Sequence, residues 1–239
     1  MKKQNKDDYT KYARVLPAIM AMILPCISTI SFIYHLPSVN QLMTKELNLM
    51  WNTLILILPC SLIYGAIGYS SRELFRSISK IIFQYQLFGE DEANMPTTDL
   101  LLLSKSSFSE SYIKKIRQKV YDDFKIKIRG KINELEERKE IANVVQLIRN
   151  VTRNDKVLLQ YNLQFGFLRN LMGGLVAAIV ITISIILLSI VFKTPIIMHL
   201  ILCTVELFAL IFSFSILKYR ARAYARQLYA VYLTTNIKI

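Results

Sequence analysis

The chain has 239 residues, of which 53% are hydrophobic and 20% are charged, and its formal net charge is +13. This composition excludes an ordinary soluble domain and indicates a membrane protein. The three cysteines lie inside apolar stretches without CxxC or Cys/His spacing, which argues against a disulfide scaffold, a redox role and a zinc site.

Four apolar stretches are long enough to cross a bilayer, which takes about 20 residues. They predict helical spans near 15–36, 48–70, 171–192 and 196–217. The first span follows a basic start, but it exceeds the about 7–15 apolar residues of a signal peptide. We therefore interpret it as a signal anchor that is retained.

Basic side chains are distributed in a way that predicts orientation. Five lie in the first 14 residues, eighteen lie in 72–169 against thirteen acids, and five lie in the tail from Lys218 without any acid. The short connections near 37–47 and 193–195 carry one each. The positive-inside rule then places the termini and the middle segment in the cytoplasm.

The predicted fold is an all-α integral membrane protein with two transmembrane hairpins, both termini inside, and a helical cytoplasmic insert between spans 2 and 3. The predicted divisions are residues 1–71 for the basic start and first hairpin, 72–169 for the insert, and 170–239 for the second hairpin and basic tail. Much of the excess positive charge is explained by this orientation and by attraction to anionic lipid headgroups. Nucleic acid is not favoured as a partner, because no known nucleic-acid-binding signature is present.

A short sequence recurs in the first two spans, as ILPCIS at 23–28 and ILPCSL at 57–62. Pro25 and Pro59 each lie near the middle of a span, where proline removes a backbone donor and kinks a helix. The repeat indicates a paired hinge or a chance recurrence of common residues.

Local signals define the helices of the insert. An amphipathic helix should continue from the second span and end at Gly89. Thr97 or Thr98 is expected to cap a short helix, and Ser107 or Ser109 the next one.

The basic stretch 114–131 is expected to be helical and to break or bend at Gly130. Residues 132–168 predict one long helix that feeds the third span, because apolar residues follow near-heptad spacing and no glycine or proline interrupts them before Gly166. The insert is small enough that we expect it to pack against its own tail or against other subunits.

The tail from Lys218 should extend the fourth helix. Its arginine face and its tyrosines are typical of the membrane interface. These tyrosines are Tyr219, Tyr224, Tyr229 and Tyr232.

Glu206 stands in the middle of the fourth span, where an ionisable group costs about 2.5–3.5 kcal/mol or more. Its own helix face carries no cation, and Thr182 and Ser184 of the third span lie at similar depth. Three interpretations remain open: Glu206 lines a pore shared by several subunits, carries protons, or is protonated and hydrogen-bonds a neighbouring helix.

The third span begins with several small residues. Gly173 with Ala177, and Gly174 with Ala178, form small-xxx-small pairs that let helices approach closely. They indicate either an oligomer interface or packing against the fourth span.

No catalytic or nucleotide-binding motif occurs in a recognisable setting. His35 and His199 are the only histidines, and both lie at outer ends of spans. We therefore expect neither an enzyme nor a metal or cofactor site.

Residues 95–104, MPTTDLLLLS, and the stretch from IANVVQLIRN to LRNLMGG, 141–174, resemble small bacterial membrane proteins of antiphage defence loci. These have two transmembrane hairpins with a helical insert, and some are linked to cyclic-oligonucleotide signalling. The resemblance implies an oligomeric effector of the bacterial inner membrane, in which the cytoplasmic helices sense a protein partner or a cyclic oligonucleotide and the spans then perturb the membrane. A membrane scaffold without a pore and a transporter component are the alternatives.

The resemblance directs attention to two stretches as ligand or partner sites, namely the turn at Pro96–Asp99 and the sequence YNLQFGFLRN at 161–170. Arginine suits phosphate because its guanidinium group forms two parallel hydrogen bonds, but the same side chains also suit headgroups and carboxylates. The candidate residues are Thr97, Thr98, Asp99, Arg149, Arg153 and Arg169.

Overall fold

The computed structural model describes residues 7–39, 41, 49–89, 93–128, 130 and 133–236, with side chains omitted at 49–53. Every regular element in these ranges is helical, so the all-α prediction is confirmed for them. The helices are α1 (Asp7–Tyr34), α2 (Leu49–Ser70), α3 (Arg72–Phe88), α4 (Pro96–Asp99), α5 (Glu110–Phe124), α6 (Glu134–Thr152), α7 (Lys156–Val191) and α8 (Ile197–Thr234).

Three of these helices are long and apolar enough to cross a membrane, namely α1, α7 and α8. A fourth crossing is counted only if α2 and α3 are taken together as one bent span. Leu54–Ser70 and Arg72–Phe88 are long and apolar enough together, with a bend of 56° between them. The predicted membrane protein is supported at this level.

The chain forms two compact units. The first, called here the apolar unit, contains Asp8–Ser79 and Phe167–Ser215. The second, called here the helical unit, contains Lys80–Gly166 and the C-terminal segment from Ile216. α7 and α8 each contribute residues to both units.

The core of the helical unit is built from the insert and the C-terminal end of α8. Ile113 and Ile116 of α5, Ile141 of α6, and Leu228 of α8 are fully or almost fully buried in it. The tail therefore packs on the insert, which was one of the two expected arrangements.

Two tail tyrosines differ from their expected position at a lipid interface. Tyr229 and Tyr232 are 0% exposed and belong to this core. The helical period places them on one stripe with Ala225 and Leu228, and that apolar stripe is covered by the insert. Tyr219 lies off the stripe and is exposed.

The single helix predicted over 132–168 is wrong, because the chain breaks between α6 and α7. The reason is the sequence Asn154-Asp155. The Asp155 carboxylate accepts a hydrogen bond from the Leu158 amide at 2.8 Å and so caps a new helix. An N-cap can start a helix without any glycine or proline before it.

Other local signals were partly correct. Gly89 ends α3 with φ of 76°, and Ser109 caps α5 by accepting from the Tyr112 amide. Met95, whose extended backbone is imposed by the following proline, begins α4 in place of Thr97 or Thr98.

The end of α5 also differs from expectation. The helix ends at Phe124, where Lys125 takes a left-handed conformation with φ of 59°. The predicted break at Gly130 therefore comes five residues earlier in the chain.

The two prolines differ in their effect on the helices. α1 is irregular at Met22, which has φ −85° and ψ −4°, three residues before Pro25. Pro59 lies inside α2, which is continuous across it. A local distortion is therefore found near Pro25 only.

Candidate functional site

The carboxylate of Glu206, on the candidate membrane span α8, lies in the interior of the apolar unit. Its side chain is 0% exposed, and so is that of Thr182 on α7. The Thr182 hydroxyl donates a hydrogen bond of 3.0 Å to Oε1 of Glu206. Oε2 is buried and has no hydrogen-bond partner among the described residues. The hydrogen bond of Glu206 is thus made with a neighbouring helix of its own chain.

Ser184 does not join this pair. It is exposed, and its hydroxyl donates to the carbonyl of Val180, one turn earlier in α7, at 2.9 Å. Residues two apart on a helix point to nearly opposite faces, so Thr182 and Ser184 cannot both face α8.

A second buried polar pair links α1 and α8. The hydroxyl of Ser28 and Nδ1 of His199 are 2.8 Å apart, and the two side chains are 0% and 1% exposed. Sequence reasoning missed this pair. A signal was present, because His199 and Glu206 are seven residues apart and share one face of the helix.

The register of α7 and α8 arranges the polar side chains in two layers. The helices are antiparallel neighbours joined by residues 192–196, and Thr182 meets Glu206. Seven residues toward the connection, the same register gives Ser189 on α7 and His199 on α8. Ser189 is 0% exposed, and its hydroxyl has no partner in the described part of the chain. The two layers are about 10 Å apart along the helix.

The far end of the apolar unit is held by polar contacts. The amide of Asn170 donates to the carbonyl of Ala13, and Arg14 pairs with Glu73 at 3.0 Å. Ser79 donates its hydroxyl proton to the carbonyl of Arg169. The start of α1, the start of α3 and this part of α7 therefore meet at one end of the unit.

The small residues of α7 pack within the chain. A Cβ atom on Gly173 would lie 1.9 Å from the carbonyl oxygen of Phe75, and one on Gly174 would lie 2.6 Å from Cβ of Ala21. Ala178 is fully buried, and Ala177 packs against the same cluster. Gly173 and Gly174 thus approach α1 and α3 closely, which neither expected alternative included.

The candidate ligand residues do not converge on one site. Thr97 and Thr98 are buried in the helical unit, and the Thr97 carbonyl accepts from the hydroxyl of Tyr229. Arg149 lies over the ring of Tyr224 at 5.9 Å. Arg153 is exposed in the turn between α6 and α7, and Arg169 belongs to the apolar unit.

Asp99 takes part in an ion-pair network instead. Arg138 bonds the Asp99 carboxylate and the Glu134 carboxylate, each at 2.9 Å, and also the carbonyl of Ala93 at 3.0 Å. Hydrogen bonds from Lys105 and Arg138 hold the pKa of the Glu134 carboxyl below its usual value of 4.5. This network fixes α4 on α6 and leaves the Asp99 oxygen already paired.

Within the described residues, no group of three or more His, Cys, Asp or Glu side chains is arranged to hold a metal ion. Compared with models of protein families, with curated proteins and with solved structures, the chain matches none. Its function must therefore be argued from the two buried polar layers.

Proposed function

We propose that this chain is a four-span protein of the bacterial inner membrane that gates the passage of ions through the interior of its own apolar unit. In this proposal both termini are cytoplasmic, α2 completes the first hairpin, and the helical unit receives the signal that opens the path. The protein is an effector and not an enzyme.

The burial of Glu206 carries the proposal. An ionisable side chain inside a membrane bundle is costly to keep, and such residues usually face water, a partner or an ion path. Thr182 satisfies only Oε1, and Oε2 is buried without a partner in the described ranges of the chain. A purely structural contact is better made by a hydroxyl or an amide, whereas a carboxyl with one open oxygen can exchange a proton or bind a cation.

Contacts at one end of the apolar unit support the proposed topology. The pair between Arg14 and Glu73 brings the start of α1 next to the residues that follow α2, as a hairpin requires. Arg72 lies over the ring of Tyr69 at 4.4 Å, and Arg14 over the ring of Tyr9 at 5.7 Å. Paired cations and tyrosines are typical of the membrane–water interface, and the excess of positive charge supports a cytoplasmic location for this end.

The resemblance to antiphage effectors supports a role in defence. The helical unit has its own core, and α7 and α8 run through both units, so a change in the helical unit has a covalent route to Thr182 and Glu206. The trigger is a cytoplasmic protein partner or a cyclic oligonucleotide. A homo-oligomer stays a prediction, and the path proposed here does not require one.

Ion flux across liposomes tests the proposal. Wild-type protein, Glu206→Gln and Thr204→Val are reconstituted with and without cytoplasmic extract from phage-challenged cells. Thr204 is the matched control, because it is exposed on α8 and its hydroxyl bonds its own helix at Leu200. We expect triggered flux in wild type and Thr204→Val and an altered flux in Glu206→Gln. Absence of flux from folded protein with extract present would refute the proposal.

A scaffold that recruits a partner is the second candidate, favoured by the exposed cations of the helical unit. Lys115, Lys125 and Lys127 are exposed on or just after α5. If the protein is a scaffold, replacing these lysines by glutamate abolishes binding of the partner from the extract, and Glu206→Gln has no effect.

A further inference from the structure

We propose that the ion carried is the proton, and that His35, His199 and Glu206 are the groups that carry it from the outer end of α1 and α8 to the centre of the membrane. This inference rests on the proposed function and names its substrate. It also assigns a role to His199, which no motif identified.

The two histidines of the chain lie at the same end of the apolar unit, because Ser28 of α1 contacts His199 and Phe32 of α1 packs against Phe192, just before α8. His35 follows the last turn of α1 and is exposed, with Nδ1 2.8 Å from the carbonyl oxygen of Ser31. His199 is 1% exposed at this end and lies 2.8 Å from the hydroxyl of Ser28, two turns before His35 on α1. An exposed histidine beside a buried one is suited to collect protons from water and pass them inward.

His199 has the chemistry of a relay. One ring nitrogen of a neutral imidazole accepts a hydrogen bond while the other donates, so the ring can take up a proton on one side and release it on the other. Its partner, the hydroxyl of Ser28, is itself both a donor and an acceptor. By helix register Ser189 lies at the same level, and its buried hydroxyl, unpaired among the described residues, can hold a water molecule or accept a hydrogen bond.

Glu206 is the next group on the same face of α8. A neutral carboxyl can accept a proton on one oxygen and release one from the other, and here Thr182 occupies only Oε1. Among the described residues, Glu206 bonds Thr182 on α7 and interacts electrostatically with Cys203 on its own helix, and neither of these side chains carries a positive charge. The free oxygen Oε2 is therefore the position at which a proton from the His199 layer would arrive, and the carboxyl then releases a proton toward the cytoplasmic end, to the water that enters when the path opens.

The separation of the layers explains how the path is closed. Direct transfer needs hydrogen-bonding distance, whereas two helical turns separate His199 from Glu206 by about 10 Å. Cys203 lies between them and is buried, and a thiol is a weak hydrogen-bonding group. In the structure the two layers therefore do not contact each other directly, and on our proposal the trigger opens the path by admitting water beside Cys203.

The same arrangement disfavours metal cations. A dehydrated cation needs several oxygen ligands, for example the rings of carbonyl groups in potassium channels. The Glu206 layer supplies one carboxyl and one hydroxyl group. A proton needs only one acceptor at each step, so these layers suit the proton alone.

The test measures proton and potassium fluxes separately in the triggered liposomes. A trapped pH dye reports protons under a fixed membrane potential, and a potassium electrode reports potassium release. The variants are His199→Gln and Glu206→Gln, with Thr204→Val and Ser184→Ala as outward-facing controls on α8 and α7. If His199→Gln fails to fold, Ser28→Ala removes the partner of the ring and keeps the ring itself.

We expect wild type and both controls to pass protons without potassium. The proton flux of each site variant should be at least tenfold lower than that of wild type. Potassium flux as large as the proton flux would overturn the inference and leave the proposed function standing. Proton flux that His199→Gln and Ser28→Ala leave unchanged would overturn the relay. If wild type passes no ion, the proposed function fails and the inference fails with it.

Discussion

The close approach of α7 to α3 at Gly173 leads to a prediction with an internal control. In Gly173→Ala the new methyl group would lie 1.9 Å from the carbonyl oxygen of Phe75, where nonbonded atoms normally stay about 3.5 Å apart. The neighbouring atom is backbone and cannot rotate away, so the two helices must separate. In Gly65→Ala the methyl group meets nothing within 4 Å, although Gly65 also lies inside a helix.

The expected effects have opposite signs. Alanine gains about 1 kcal/mol over glycine in a helix, which is the whole effect for Gly65→Ala. At Gly173 an overpacking cost of about 1–3 kcal/mol opposes this gain, and the cost lies at the upper end or beyond because Phe75 is almost fully buried there. We therefore expect a net loss of about 2 kcal/mol, which lowers the midpoint of thermal unfolding by about 4–8 °C in a chain of this size.

Thermal unfolding of the purified proteins in one detergent, followed by circular dichroism and by size-exclusion chromatography after heating, measures both variants. Gly65→Ala should unfold at or slightly above the temperature of wild type. If Gly173→Ala unfolds there too, α7 and α3 do not approach as described, and the reasoning is refuted.

Three further predictions concern the helical unit. Asp155→Ala should lose about 1 kcal/mol of unfolding free energy in denaturant titrations because α7 loses its cap, whereas Asp155→Asn should keep most of it; equal loss in both would contradict the cap. Tyr229→Phe leaves the buried carbonyl of Thr97 without its donor and should cost about 1–3 kcal/mol, and Tyr219→Phe, at an exposed position, should be neutral. The lowered pKa of Glu134 means that its contribution to stability is present above its usual value of 4.5 and is lost as pH falls through the lower folded-state pKa; Glu134→Gln should flatten that acid limb of the unfolding curve, and an unchanged limb would exclude this role.

Helix positions could be predicted from the sequence wherever the signal is local. Gly89 and Ser109 each act within one turn of the chain, and both were identified. Asp155 acts just as locally, but an acidic cap starts a new helix without the glycine or proline that usually marks a break. The burial of Tyr229 and Tyr232 depends on which surface covers their stripe, and that surface comes from a distant part of the chain.

In the candidate site, too, local features could be predicted from the sequence and contacts between distant segments could not. Glu206 was recognisable because a carboxylate is conspicuous in an apolar stretch, and Thr182 because it has the same depth. Ser28 and His199 are 171 residues apart and belong to helices whose pairing the sequence does not specify. Ser184 was chosen by depth alone, and only the rotation of α7 separates it from Thr182.

The helical unit is built from two distant parts of the chain, and this has a consequence for biosynthesis. Its core combines the insert with the stripe on α8 from Ala225 to Tyr232, close to the C-terminus of the chain. Because chains emerge from the ribosome N-terminus first, the apolar face of the insert stays uncovered until α7 and the apolar part of α8 have been made. On the proposed function, the helical unit can receive its signal only after the stripe on α8 has been made and has covered the insert, and a nascent chain stalled within α8 would remain a substrate for chaperones and proteases.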